Sequence, residues 1–191
     1  MDKHIVVLIP LGSYEQPLVD AAVREGFELL GGVEKFVHPE EKILLKPNLL
    51  ARALPQKAIT THPAVFSAVC RALSEAGCKH LSYGDSPGNP TTTPDKAAEG
   101  AGIAEAAEAF GVQKADFASG SVVPFPEGRT ARSFYLCNGV QQADALINVC
   151  KMKTHALERT FSRSIEHATA NYFIYNHKAS EEYQGSCDNT A

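Results

Sequence analysis

The sequence contains no C-x-x-C pair. Its five cysteines, Cys70, Cys78, Cys137, Cys150 and Cys187, are odd in number and scattered. That excludes a zinc ribbon or a ferredoxin-type cluster built from this chain alone and leaves reduced, mostly buried thiols as the expectation. Also missing is any apolar run near the roughly 20 residues that cross a bilayer. The block IVVLI at residues 5–9 has no signal-peptide cleavage pattern after it, so it reads as a first buried strand, with a cytoplasmic address and no membrane partner. Basic charge is not in excess: 18 Lys and Arg face 22 Asp and Glu, for a net charge of -4 and a pI near 6.0. A general nucleic-acid binder is broadly basic and is excluded on that ground. The sequence shows no internal repeat, low-complexity tract or linker. With 191 residues, 44% hydrophobic and 21% charged, it reads as one globular domain.

What is present alternates between two periods. EQPLVDAAVREGFELLGGV spaces Leu18, Ala22, Phe27 and Leu30 helically and ends on paired glycines. EKILLKPNLL carries an unbroken Ile43-Leu44-Leu45 run, as a strand covered on both faces does. THPAVFSAVCRALSEAG is a helix with Thr61 or His62 at its cap, Pro63 in its first turn and a stripe of Val65, Val69, Leu73 and Ala76. KHLSYGDSPG is a strand running into a turn. The stretch after Thr93 gives two short helices divided at Gly100 and Gly102. Shorter strands follow between 112 and 136, then a helical turn, then the strand ALINV. This order predicts an α/β domain over residues 1–160: a three-layer, mostly parallel sheet covered by helices on both faces. Residues 161–191 are expected to form a diverged C-terminal helix and a frayed polar tail.

The polar residues cluster where the predicted strands end. Lys46-Pro47-Asn48 follows one strand, Gly84-Asp85-Ser86-Pro87-Gly88-Asn89 a second, and Lys151-Met152-Lys153-Thr154-His155 a third. Open parallel sheets bind ligands at the carboxyl ends of their strands, and Thr60-Thr61-His62-Pro63 opens a helix, whose amino terminus favours anions. Residues 151–163 carry two Lys, two Arg and one Glu, a local charge of +3 in an acidic chain. The expected ligand is therefore a small anion such as a carboxylate or phosphate. Lys46, Asn48, Thr61, His62, Ser86, Lys151 and Thr154 are the candidate ligand-binding residues, and Lys153, His155 and Asp85 the candidate catalytic ones. Plainer readings stand beside this: solvated loop lysines and histidines, a simple turn at 85–88, and a helix cap at 61–63. Ser86 lacks the G-x-S-x-G spacing of a nucleophile elbow, and Pro87 removes an oxyanion-hole donor. Cys150, His155 and His167 match no metal-ligand spacing, and Cys150 sits beside lysines that would repel a cation.

ILLKPNLL, THPAVFSAVCRALSEAGCKHLSYGDSPG, AAEGAGIAEAAEAFGV and ADALINVCKMKTH occur in this order. Together they resemble domain-of-unknown-function family 362, from about residue 5 to residue 157. The resemblance implies an α/β domain and a redox association, because many members carry a ferredoxin-type segment holding four-iron, four-sulfur clusters. That segment has no counterpart here, so the resemblance implies no cofactor within this chain and a separate ferredoxin-like protein as a partner. Members usually continue beyond the position of Thr160 with a Gly-Ala-Val-Lys-Asn-like segment, whereas this sequence has Phe161-Ser162-Arg163-Ser164. The expectation is a short or truncated member. Two functions fit: an enzyme of an iron–sulfur-linked system acting on a small anionic metabolite, or a non-catalytic ligand-binding or regulatory domain. A truncated member without activity is a further alternative.

Overall fold

The computed structural model describes residues 5–87 and 91–151, and beyond them the backbone at 153–154, 161–162 and 175–176. Helix α1 spans Gln16–Leu30, strand β1 Lys42–Pro47, helix α2 Pro63–Glu75 and strand β2 His80–Tyr83. Two short helices follow, α3 at Pro94–Gly100 and α4 at Ile103–Ala109, then strands β3 at Gln113–Lys114, β4 at Gly120–Pro124 and β5 at Ser133–Cys137. Helix α5 at Asn138–Gln141 leads into strand β6, Ala145–Val149; the remaining strands are β7 at Lys153–Thr154, β8 at Phe161–Ser162 and β9 at Tyr175–Asn176.

The main sheet has the order β3-β2-β1-β6-β9. β3, β2, β1 and β6 run parallel, and β9 pairs antiparallel with β6. The expected α/β class and mostly parallel sheet are therefore found. β1 is central and its residues 43–47 are buried on both faces, which explains its lack of alternation. Ile43, Leu45, Leu81, Ile147 and Val149 contribute to one core with Phe66, Cys70 and Leu73 of α2 and with Ala97, Ala101 and Ile103 from the α3–α4 region. α1 packs on the outer side of α2, where Val19 meets Ala64 and Ala68. The buried residue of α1 is thus Val19, while Leu18 of the expected stripe is 47% exposed.

The α3–α4 break falls where the glycines placed it: Gly102 takes φ 72°, a conformation that costs glycine little and other residues more. The first-strand expectation does not hold. Residues 5–15 lie outside helix and strand, and Ile5, Val6 and Leu8 are 63%, 75% and 83% exposed. β1 and β6 are already paired on both sides, and IVVLI does not add to the outer edge of β3 or β9. The expected helix and tail after residue 160 lie outside the described residues, apart from the short strands β8 and β9.

Candidate functional site

Strand order fixes where a site belongs. From β1 the chain builds outward through β2 and β3, then crosses to the other flank of β1 as β6. Between β1 and β6 the order reverses, and the crevice at the carboxyl end of such a switch point is the usual ligand position of open α/β sheets. Here Pro47 pairs with Val149, so Asn48 and Cys150 leave the sheet side by side.

Buried and part-buried hydrogen bonds tie the strand ends together at this switch point. Thr61 Oγ1 accepts from the Asn48 backbone N–H at 2.8 Å and donates to the Val149 carbonyl at 2.6 Å. The Thr61 N–H donates to the Asn48 carbonyl at 3.1 Å, and Asn48 Oδ1 accepts from the Lys151 N–H at 2.7 Å. Thr61 and Asn48 therefore fasten together the end of β1, the approach to α2 and the end of β6. Their part is to hold the backbone, and Asn48 Oδ1 is occupied in doing so. Thr60 is buried, and its hydroxyl has no hydrogen-bond partner among the described residues.

One strand further over, Lys46 Nζ lies 2.8 Å from Asp85 Oδ1, with 7% of each side chain exposed. The parallel register that pairs Leu45 with Tyr83 brings this acid beside that lysine. Asp85 Oδ2 accepts from the Leu49 N–H at 2.8 Å. The acid thus neutralises the lysine and ties down the loop after β1. The ammonium has three protons to share, and Asp85 is its one partner among the described residues.

His62 caps α2, with Nδ1 accepting from the Ala64 N–H at 3.2 Å. That bond places the imidazole proton on Nε2. Burial, and next the Lys151 ammonium, hold its pKa below the ordinary value, so near neutral pH it serves as a neutral N–H donor. The amino terminus of α2 is correspondingly used up: Pro63 has no N–H, Ala64 bonds the imidazole, and Val65 and Phe66 donate to the His62 carbonyl. The backbone anion cradle expected from Thr-Thr-His-Pro is closed by its own histidine.

Lys151 is half-buried. Its Nζ donates to the Tyr14 hydroxyl at 3.1 Å, and the Tyr14 ring lies on His62 with centroids 3.7 Å apart and planes 10° from parallel. Tyr14 belongs to the irregular segment before α1, where no periodicity marks it, and sequence reasoning missed it. Ser86 is exposed beside Asp85. Lys153 and Thr154 belong to β7, whose backbone pairs with Ser162 and Phe161 of β8. His155 lies outside the described residues. The sequence-nominated residues Lys46 and Asp85 thus meet directly, and Asn48, Thr61, His62 and Lys151 form a second connected group.

A cavity of about 490 Å³ opens at the ends of β2 and β3, lined in part by Leu49, Tyr83, Asp85, Asp95, Lys114 and Phe117. Its charges are spoken for: Asp95 pairs with Lys114 and Asp85 with Lys46. The Phe117 ring lies against Gly84, where a side chain would collide with it. Asp116, also at the wall, has its carboxyl held below the usual range chiefly by the Ser119 N–H and the Asn138 amide. The donor set does not fit an iron–sulfur cluster. Among the described residues no three His, Cys, Asp or Glu side chains stand close enough to hold a metal ion. Cys70 and Cys78 are buried, and burial pushes the Cys70 thiol up to about 12.

A switch-point crevice with a lysine-bearing strand end defines an α/β protein with a sheet-edge polar site. More narrowly, residues 43–166 match the family described as a domain of unknown function, DUF362, and the chain belongs to that family. It is 33% identical over 151 residues to a thylakoid-associated protein of Synechocystis sp.. That alignment covers 79% of this chain and 46% of the relative, so the chain spans about half the length of the curated relative it matches. No solved structure matches the chain. Among the described residues no helix is long and apolar enough to cross a membrane.

Proposed function

We propose that the crevice between β1 and β6 binds a small anionic molecule, with the Lys151 ammonium and the Nε2–H of His62 as its donors. The observation that carries this reading is the hydrogen-bonded bracket of Asn48, Thr61, Val149 and Lys151. It fixes the Lys151 backbone at the switch point from three separate stretches of chain. A lysine whose backbone is already ordered loses less conformational freedom on binding than one on a free loop. Lys46 adds neither contact nor net charge, since Asp85 neutralises it. An anion present at a hundred times its dissociation constant stabilises the fold by about 2.7 kcal/mol. Thermal melts in phosphate, malonate or chloride at matched ionic strength test this. Phosphate or malonate should raise the midpoint of the wild type and leave that of Lys151→Met unmoved; an equal rise in both removes Lys151 from the site.

Catalysis is the second reading, favoured by one observation: Asp85, the acid nominated for proton transfer, borders a cavity large enough for a substrate body. Turnover of an anionic metabolite that is lost in Asp85→Asn while binding persists supports it. Saturable binding without conversion supports the non-catalytic domain.

A further inference from the structure

Tyr14 holds the place on Lys151 that an anionic ligand needs. The ammonium is 3.1 Å from the Tyr14 hydroxyl oxygen and 5.5 Å from the ring centroid. It therefore sits toward the hydroxyl end of the ring, in a hydrogen bond and not over the π face. The same ring lies flat on the face of His62 at 3.7 Å, leaving the in-plane Nε2–H of that donor unblocked. One side chain thus occupies Lys151 and touches His62.

The segment that carries Tyr14 is held lightly elsewhere. Residues 5–15 have no helix or strand; Ile5, Val6, Leu8 and Leu11 are exposed, while Val7 and Ile9 are half-buried, Ile9 beside Gly26 of α1. The nearest order is a local turn in which Ser13 Oγ accepts from the Glu15 N–H at 3.0 Å. From Gln16 the chain is anchored as α1, whose first side chain donates to the Ala64 carbonyl at 3.0 Å. Tyr14 thus sits on an irregular stretch directly before a fixed helix, the kind of segment that opens at low free-energy cost.

We propose that Tyr14 is an autoinhibitory latch on the anion site: its hydroxyl stands in for a ligand oxygen on Lys151, and ligand binding displaces it together with the segment at 5–15. The proposal rests on the anion-binding reading and specifies how that site is regulated. Tyr14→Phe keeps the ring stack and removes the competing acceptor. Its affinity for inorganic phosphate should exceed that of the wild type by about fivefold, the ratio corresponding to one net hydrogen bond. Tyr14→Ala should bind at least as tightly as Tyr14→Phe.

Two measurements on the full chain separate the latch from the site. Phosphate affinity is measured by calorimetry for wild type, Tyr14→Phe, Tyr14→Ala and Lys151→Met. The His62 ring resonances, shifted by the stacked Tyr14, are followed by NMR. Saturating phosphate should move the wild-type signals to the positions seen in Tyr14→Ala. Lys151→Met should move them part of the way with no ligand present. Lys151-dependent phosphate binding that Tyr14→Phe does not tighten, with His62 signals unmoved by phosphate, overturns the latch and leaves the anion site standing. Absence of phosphate and malonate binding in wild type and both Tyr14 variants overturns the anion site, and the latch with it.

Discussion

Replacing Lys46 by Met should destabilise the chain much more than replacing Lys46 and Asp85 together. The two groups are 2.8 Å apart with 7% of each side chain exposed. Removing either alone leaves the other charge buried without its counter-ion, a loss of about 3–5 kcal/mol. Asp85→Asn is the matching change on the acid side, because the amide oxygen still accepts from the Leu49 N–H. In Lys46→Met/Asp85→Asn no charge remains, the aliphatic stem is roughly replaced and the Leu49 bond survives. That variant should lie within about 1 kcal/mol of the wild type, since neutral replacement of a buried pair is often harmless. For a chain of this size each kcal/mol moves the melting midpoint by about 2–4 °C, so the single variants lose roughly 6–20 °C. Urea titration of all four proteins at pH 7 closes the cycle. A coupling of at least about 2 kcal/mol is expected. Additivity to within about 0.5 kcal/mol, the behaviour of independent sites, would refute the reasoning, because it would mean the two charges are separately solvated.

Thr61→Val removes a buried hydroxyl that serves both the Asn48 N–H and the Val149 carbonyl; it should cost about 2–4 kcal/mol in urea titration, with Thr61→Ser recovering most of the loss, and a Thr61→Val midpoint equal to wild type would show that β1 and β6 do not depend on this bracket. His62 has its folded-state pKa below the 6.5 of the free group, so as pH falls the unfolded chain takes up this proton first; stability from the neutral imidazole is present above about 6.5 and lost as pH drops toward the folded value. Asn also caps helices, so the stability difference between wild type and His62→Asn should be flat from pH 7 to 8 and shrink on acidification below about 6.5. A difference that grows in acid reverses the assigned shift.

The strand–helix alternation was legible because Ile43-Leu44-Leu45 and the stripe including Val69 and Leu73 carry their periods openly, and both lie in the core. The block at residues 5–9 was not, because composition alone does not decide whether a segment joins a sheet, and sheet order is a property of the whole chain. Gathering of the strand-end residues followed from topology alone. Their individual roles did not. Whether Lys46 faces solvent or Asp85 depends on the β1–β2 register, and whether the α2 amino terminus is open depends on one His62 side-chain bond. Tyr14 left no trace, since a residue in an irregular segment has no pattern to read.

The order β3-β2-β1-β6 also dictates when the site comes into existence. β1 and β2 are joined through α2 and pair early along the chain, but the bond from the Lys42 N–H to Asp144 spans 102 positions and that from Lys151 to Asn48 spans 103. Contacts this distant must close a long loop before they repay its entropy, and they form slowly. During synthesis the amino-terminal half can collapse as a partly assembled sheet whose flank awaits β6, exposing an aggregation-prone edge. The site is therefore completed only when β6 arrives beside β1, and ligand affinity doubles as a report that this late strand has docked.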